Sequence, residues 1–196
     1  LEVLDFDDRS TVAEYVKLCR EAGIGPLLDR IAEGYLEHTP NGAHLPYRCS
    51  EIEGNQKIAK RRDGKALIET RGEGGFIIVA PSSGGVNLKG PYEMQSGSVA
   101  TIATISPSER RSLFDVARIF DEEAPRQLPA NSPPTLFASG GRPGDDYAAR
   151  TQWEDLLPKH GWVRVSARLG VVSWRRPGKE TGISATTNHA DSGLLY

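Results

Sequence analysis

Leu1-Glu2-Val3-Leu4-Asp5-Phe6-Asp7-Asp8 alternates apolar and acidic side chains over its first seven positions apart from the apolar pair Val3-Leu4, the pattern of a half-buried β-strand. A strand turns successive side chains to opposite faces, so Asp5 and Asp7 emerge together, with Cα atoms about 6.6 Å apart. Two carboxylates so placed repel each other, and oxygen ligands of this kind suit hard divalent cations. The same residues also read as an acidic strand end running into a surface turn, continued by Asp8 and Arg9.

Downstream, Thr11 with Glu14 suggests a capping box, followed by Val12, Tyr15, Val16 and Cys19 at helical spacing up to Gly23. A second short helix is expected over 26–33. Residues 35–39 and 44–49 read as two strands joined through Pro40-Asn41-Gly42, a strong tight-turn signal. Pro46 in the second of these argues for an edge or a bulge, because proline has no N–H for a ladder. Residues 57–59 and 65–71 flank the turn Asp63-Gly64, and 76–80 is a continuous apolar run that predicts a further strand. Ser106-Pro107-Ser108-Glu109 starts a helix with Leu113, Val116, Ala117 and Phe120 on one face.

Residues 125–145 are rich in Pro, Gly and Ser and read as a linker. Beyond it a helix near 148–157 and short strands near 162–167, 171–175 and 183–187 are expected. The organisation is therefore a core over 1–124, a linker over 125–145 and a small β-rich module over 146–196, in the α+β class.

Charge is uneven although the net charge of the 196 residues is only -2. Residues 1–37 hold nine acids and four bases, Lys57–Arg71 six bases and two acids, and Gly161–Lys179 five bases and no acid. A nucleic-acid site must then come from local patches. Two cysteines, Cys19 and Cys49, suggest a reducing, cytoplasmic setting rather than a disulfide scaffold. No run approaches the length of a membrane span, and no signal segment opens the chain. Leu1-Glu2-Val3-Leu4 reads as the middle of a fold and Leu194-Leu195-Tyr196 as an apolar run cut short, so a fragment of a longer protein is expected.

Glu69 and Arg71 repeat the two-residue spacing beside Gly72-Glu73-Gly74-Gly75, where a ligand could approach the backbone closely. On spacing alone they equally read as a surface ion pair, Glu69 with Arg71 or Arg48, before a loose glycine loop. His44, with Arg48 and Lys57 downstream, offers hydrogen bonds and positive charge of the kind a triphosphate needs. The glycine run lacks the Lys-Ser/Thr of a P-loop, and no Gly-x-Ser-x-Gly elbow is present. In residues 146–196, Trp153, Trp162 and Trp174 accompany Arg164, Arg168, Arg175, Arg176 and Lys179, as a stacking and phosphate-holding surface or as a tryptophan core with basic edges. A zinc ribbon is excluded there for want of cysteine.

In order, Leu4-Asp5-Phe6-Asp7-Asp8, Thr39-Pro40-Asn41-Gly42-Ala43-His44 and Leu67-Ile68-Glu69-Thr70-Arg71-Gly72-Glu73-Gly74-Gly75-Phe76 resemble the three motifs of the archaeo-eukaryotic primase superfamily. The likeness is to the bifunctional primase-polymerase domains of phage and plasmid replication proteins. That resemblance implies an RRM-like catalytic sheet with helices, and template-directed primer synthesis and extension by two-metal catalysis. It implies that Asp5, Asp7 and Glu69 ligate Mg2+ or Mn2+ and that His44 and Arg71 contact the incoming nucleotide, with Arg48 and Lys57 as further candidates. Arg164, Arg168, Arg175, Arg176 and Lys179 are candidate nucleic-acid contacts. Implied partners are a single-stranded DNA template, NTP or dNTP substrates and a helicase domain in the parent polypeptide, with no membrane. The family commonly has Asp where this chain has Glu69, which keeps the carboxylate. The competing readings are a two-metal nuclease and a non-catalytic single-strand-binding module of a replication helicase.

Overall fold

The computed structural model describes residues 1–83, 85, 89–122, 151–189, 193, 195 and 196. The expected linker over 125–145 and the first residues of the helix near 148 lie outside them. Two compact units form, one from Leu1–Glu123 with Glu180–Ile183 and one from Ala124–Lys179 with Ser184–Tyr196. Among the described residues no helix is long and apolar enough to cross a membrane.

In the first unit the order is β1 (Glu2–Phe6), α1 (Arg9–Glu21), α2 (Gly25–Gly34), β2 (Tyr35–His38), β3 (Ala43–Tyr47), β4 (Gln56–Lys60), β5 (Ala66–Arg71), β6 (Glu93–Gly97) and α3 (Pro107–Ala117). The strands make one six-stranded sheet in the order β4-β5-β1-β3-β2-β6, antiparallel throughout. This is an α+β fold.

Alternation decides the two faces. Leu4 pairs with Leu45 and Thr70, and Phe6 with Ala43 and Ile68, all buried. Tyr15 of α1 packs its ring 5.0 Å from Phe6 and 6.2 Å from Phe120, so this face carries the core beneath the helices. Glu2 is also fully buried: Arg110 of α3 grips it through Nε and Nη2 at 2.6 and 2.8 Å, and the Tyr47 hydroxyl donates to it. With the Arg110 guanidinium 4.4 Å over the Phe114 ring, that ion pair pins α3 to β1.

Local signals explain most boundaries. α1 starts at Arg9, not at Val12, because the Asp8 carboxylate, in place of Thr11, accepts the backbone N–H of Ser10 and Thr11 at 2.8 and 3.2 Å and so caps the helix three residues earlier than expected. Ser106, Pro107 and Glu109 form the expected capping box of α3. The 39–42 turn closes with the Thr39 N–H on the Gly42 carbonyl, and Gly42 is required by crowding: a Cβ there would meet the Phe6 carbonyl oxygen at 1.8 Å.

Two expectations fail. Pro46 sits in β3, an interior strand, not at an edge. It is tolerated because β2 pairs with β3 only at Ala43 and His44, so beside Pro46 the ladder has just its β1 partner, Val3. Residues 76–80 form no strand, and Phe76 is 86% exposed. The stretch leads into a cis Ala80–Pro81 bond, and the Ala80 N–H is spent on a side chain, the Glu37 carboxylate, rather than a ladder. The edge strand β6 is the converse case, since its polar residues carry no strand pattern of their own and pair with β2.

The second unit holds α4 (Trp153–Leu156), a 3-10 turn over Leu157–His160, and a three-stranded antiparallel sheet β7 (Val163–Arg168), β8 (Val171–Arg175), β9 (Ala185–Thr187). Trp174 is its core, packed with Leu157 and Val172 and flanked by half-buried Trp153 and Trp162. The Trp174 indole N–H donates to Thr187 Oγ1 at 3.0 Å. At least this tryptophan serves packing rather than stacking on a ligand.

Candidate active site

On the sheet face away from the core, the register writes one row across five strands. Lys57 of β4 stands beside Glu69 of β5, Glu69 beside Asp5 of β1, Asp5 beside His44 of β3, and His44 beside Glu37 of β2. Cross-strand neighbours on one face have Cβ atoms about 5 Å apart, so three motifs separated by dozens of residues become contiguous. Arg71, two residues after Glu69 and paired with Val3, projects from the same face.

His44 is the best-anchored member. Its Nε2 lies 3.3 Å from Asp5 Oδ1 and its Nδ1 2.5 Å from Glu37 Oε1, with 6% of the side chain exposed. Burial opposes a charge on the ring, but the hydrogen bonds to Asp5 and Glu37 outweigh it and lift the pKa to about 9. His44 is therefore an imidazolium at neutral pH, donating from both nitrogens. Glu37 has no exposed surface, and besides His44 it accepts the Tyr35 hydroxyl at 2.8 Å and the Ala80 N–H at 2.9 Å. Burial opposes its charge, yet these three donors hold its pKa below the usual carboxylate range. The Tyr92 ring lies 6.1 Å from that of His44.

The other carboxylates behave in the opposite way. Asp7, just past the end of β1, is pushed up by burial and then by the negative charge of Asp5. Glu69 is pushed up by burial and by Asp5 and Asp7, against the pull of Arg71. The three acids therefore share one electrostatic field. They do not close on a common point: among the described residues no group of three His, Cys, Asp or Glu side chains has a metal-holding arrangement. The space between Asp5 and Glu69 is bridged by Arg71, with Nε 3.7 Å from Asp5 Oδ2 and Nη2 2.5 Å from Glu69 Oε1. The donor chemistry nevertheless fits a hard cation, since the set is all carboxylate, mutually repelling, and already drawn to a positive group.

Of the other residues singled out from sequence, Lys57 lies at the row's outer end, its ammonium 3.4 Å from the Gly64 carbonyl. Arg48 is not brought in: it lies just past the end of β3, four residues or about 13 Å of extended chain from His44, and donates to the Val99 carbonyl. In the second unit the bases are divided. Arg164 is paired with Trp174, whereas Arg168 and Arg175 lie on the opposite face at the two ends of the hairpin. Arg176 is exposed and Lys179 half-buried. Glu37 was missed by motif reading, although counting outward from the 39–42 turn sets 38 against 43 and 37 against 44.

The model of the family described as bifunctional DNA primase/polymerase, N-terminal (Prim-Pol), matches residues 1–110, which include every member of this row. The chain belongs to that family, whose membership implies a nucleotidyltransferase-type enzyme of DNA replication. No protein of curated function and no solved structure matches the chain.

Proposed function

We propose that this chain carries out template-directed nucleotidyl transfer, making and extending primers on single-stranded DNA. The observation that carries the reading is the register row Glu69–Asp5–His44, with Asp7 one pleat beyond, on the sheet face opposite the helices. Asp5, Asp7 and Glu69 are the residues that would hold Mg2+ or Mn2+. Such ions, when bound, neutralise charge on the phosphate under attack and make a 3′-hydroxyl a better nucleophile.

The chain's own groups do the rest. His44, kept cationic by Asp5 and Glu37, presents fixed positive charge to the triphosphate at no reorganisation cost during the reaction. Arg71 and Lys57 add cationic groups on the same face, while Arg48 is too distant to join them. The exposed Arg164 and Arg176 are candidates for the template strand. A helix-backed antiparallel sheet with its acids on the face opposite the helices also supports an RRM-like core; the setting in phage or plasmid replication, alongside a helicase in the parent polypeptide, is proposed on the family resemblance alone.

The test is primer synthesis on single-stranded DNA with Mg2+ or Mn2+, comparing the chain with its Asp5→Ala/Asp7→Ala variant. Loss of synthesis with retained fold is expected, and undiminished synthesis by the double variant refutes the assignment.

A further inference from the structure

Arg71 occupies the position where a cation is needed. Its guanidinium reaches Asp5 Oδ2 and Glu69 Oε1 together, and His44 takes the other Asp5 oxygen. A guanidinium stays charged at any working pH, so it cannot leave this spot by losing a proton and must leave by moving. A route exists: the Arg71 side chain is 34% exposed and sits in the last residue of β5, next to Gly72. Its planar fork matches a phosphate as well as it matches a carboxylate. The neighbouring bases are arranged differently, with Lys57 directed to the Gly64 carbonyl and Arg61 to Asp8.

Resting on the reading of Asp5, Asp7 and Glu69 as metal ligands, we infer that Arg71 is a resident counterion that yields to the metal and transfers to the nucleotide. Divalent metal competes with the guanidinium for the carboxylates, and an incoming triphosphate offers the displaced guanidinium a second anion. Each ligand therefore favours the other, and by linkage the coupling is reciprocal. Arg71 thus has two opposite effects, weakening metal binding when nucleotide is absent and strengthening nucleotide binding when metal is present.

The probe is Mn2+ titrated into the full chain and followed by the electron paramagnetic resonance of the free ion, without and then with a nonhydrolysable deoxynucleoside triphosphate. Without nucleotide, Arg71→Ala should bind Mn2+ about five-fold more tightly than the wild type, the scale of one partly exposed ion pair released. Arg71→Met, which keeps the stem along Val3, should do the same. Lys65→Ala, which removes a surface cation paired with Asp63 rather than with the three acids, should stay within about two-fold, which separates displacement from a general loss of positive charge. With nucleotide, the enhancement of Mn2+ binding seen in the wild type should shrink in both Arg71 variants. Unchanged or weaker Mn2+ binding by the Arg71 variants overturns the inference, as does an undiminished enhancement. Failure of the underlying reading looks different: Asp5→Asn that binds Mn2+ like the wild type removes the metal ligands themselves. Absence of Mn2+ binding in both wild type and Arg71→Ala removes both.

Discussion

Glu37→Gln tests the site at its most buried point. The carboxylate accepts from three donors, and a glutamine of the same shape cannot. With its oxygen toward His44, its amide nitrogen faces the Ala80 N–H, donor against donor. Flipped, it serves Ala80 but turns its nitrogen on His44 Nδ1, which must then give up its proton. Either way one charged hydrogen bond, or the acceptor of a part-buried N–H, is lost. A hydrogen bond to a charged group contributes about 1.5–3 kcal/mol and an orphaned buried donor costs about 1–3 kcal/mol, so a loss of about 2–4 kcal/mol is expected. His44, keeping one acceptor of two, should titrate about one pH unit or more below its wild-type value of about 9. Urea unfolding gives the first quantity. Histidine side-chain NMR through pH 5–10, with His44→Gln to assign the resonance, gives the second. A variant within 0.5 kcal/mol of wild type whose His44 titrates unchanged would refute the reasoning, because it would mean that Glu37 neither orders nor charges the imidazole.

Three further outcomes are expected. Gly42→Ala drives a Cβ into the Phe6 carbonyl, so the turn and the end of β1 must separate; a loss of about 2 kcal/mol or more, with weakened Mn2+ binding through displaced Asp7, should appear in denaturation and titration. Arg110→Ala leaves Glu2 buried with the Tyr47 hydroxyl but no counter-ion and should cost about 3–5 kcal/mol in urea unfolding; a cost below 1 kcal/mol would contradict the buried pair. The folded pKa of His44 lies above its ordinary 6.5, so its contribution is full below about pH 6.5 and disappears as pH rises through about 9. In metal-free buffer the stability difference between wild type and His44→Gln should therefore narrow by about 2–3 kcal/mol across that window, and a difference that is flat or grows argues against a charged His44.

Much of this fold is visible in local chemistry. Alternation over residues 1–7, Asn41-Gly42, Asp63-Gly64 and Ser106-Pro107 each specify an element without reference to the rest of the chain. What failed depends on partners. The run 76–80 is as apolar as a buried strand, yet nothing in its own composition reveals that its Ala80 N–H is claimed by a carboxylate from β2. β6 exists because β2 offers it an edge, and Pro46 is permitted because β2 stops short. At the site, side-chain spacing pairs Asp5 with Asp7 and Glu69 with Arg71, but only pairing register sets His44 and Glu69 on either flank of Asp5. The ion-pair alternative for Glu69 and Arg71 also has substance: the pair forms, with Glu69 sunk into the face rather than loose at the surface.

Because the chemistry is spelled crosswise over β5, β1, β3 and β2, the chain should tolerate length changes very unevenly. A single-residue deletion inside any of those strands would roll its functional side chain toward the helices and break the word. A length change in the connections over 48–55 or 61–65 leaves strand phase intact and disturbs only flanking contacts, such as Arg61 on Asp8 and Lys57 on the Gly64 carbonyl. Loop length is thus a weaker constraint on this row than strand phase.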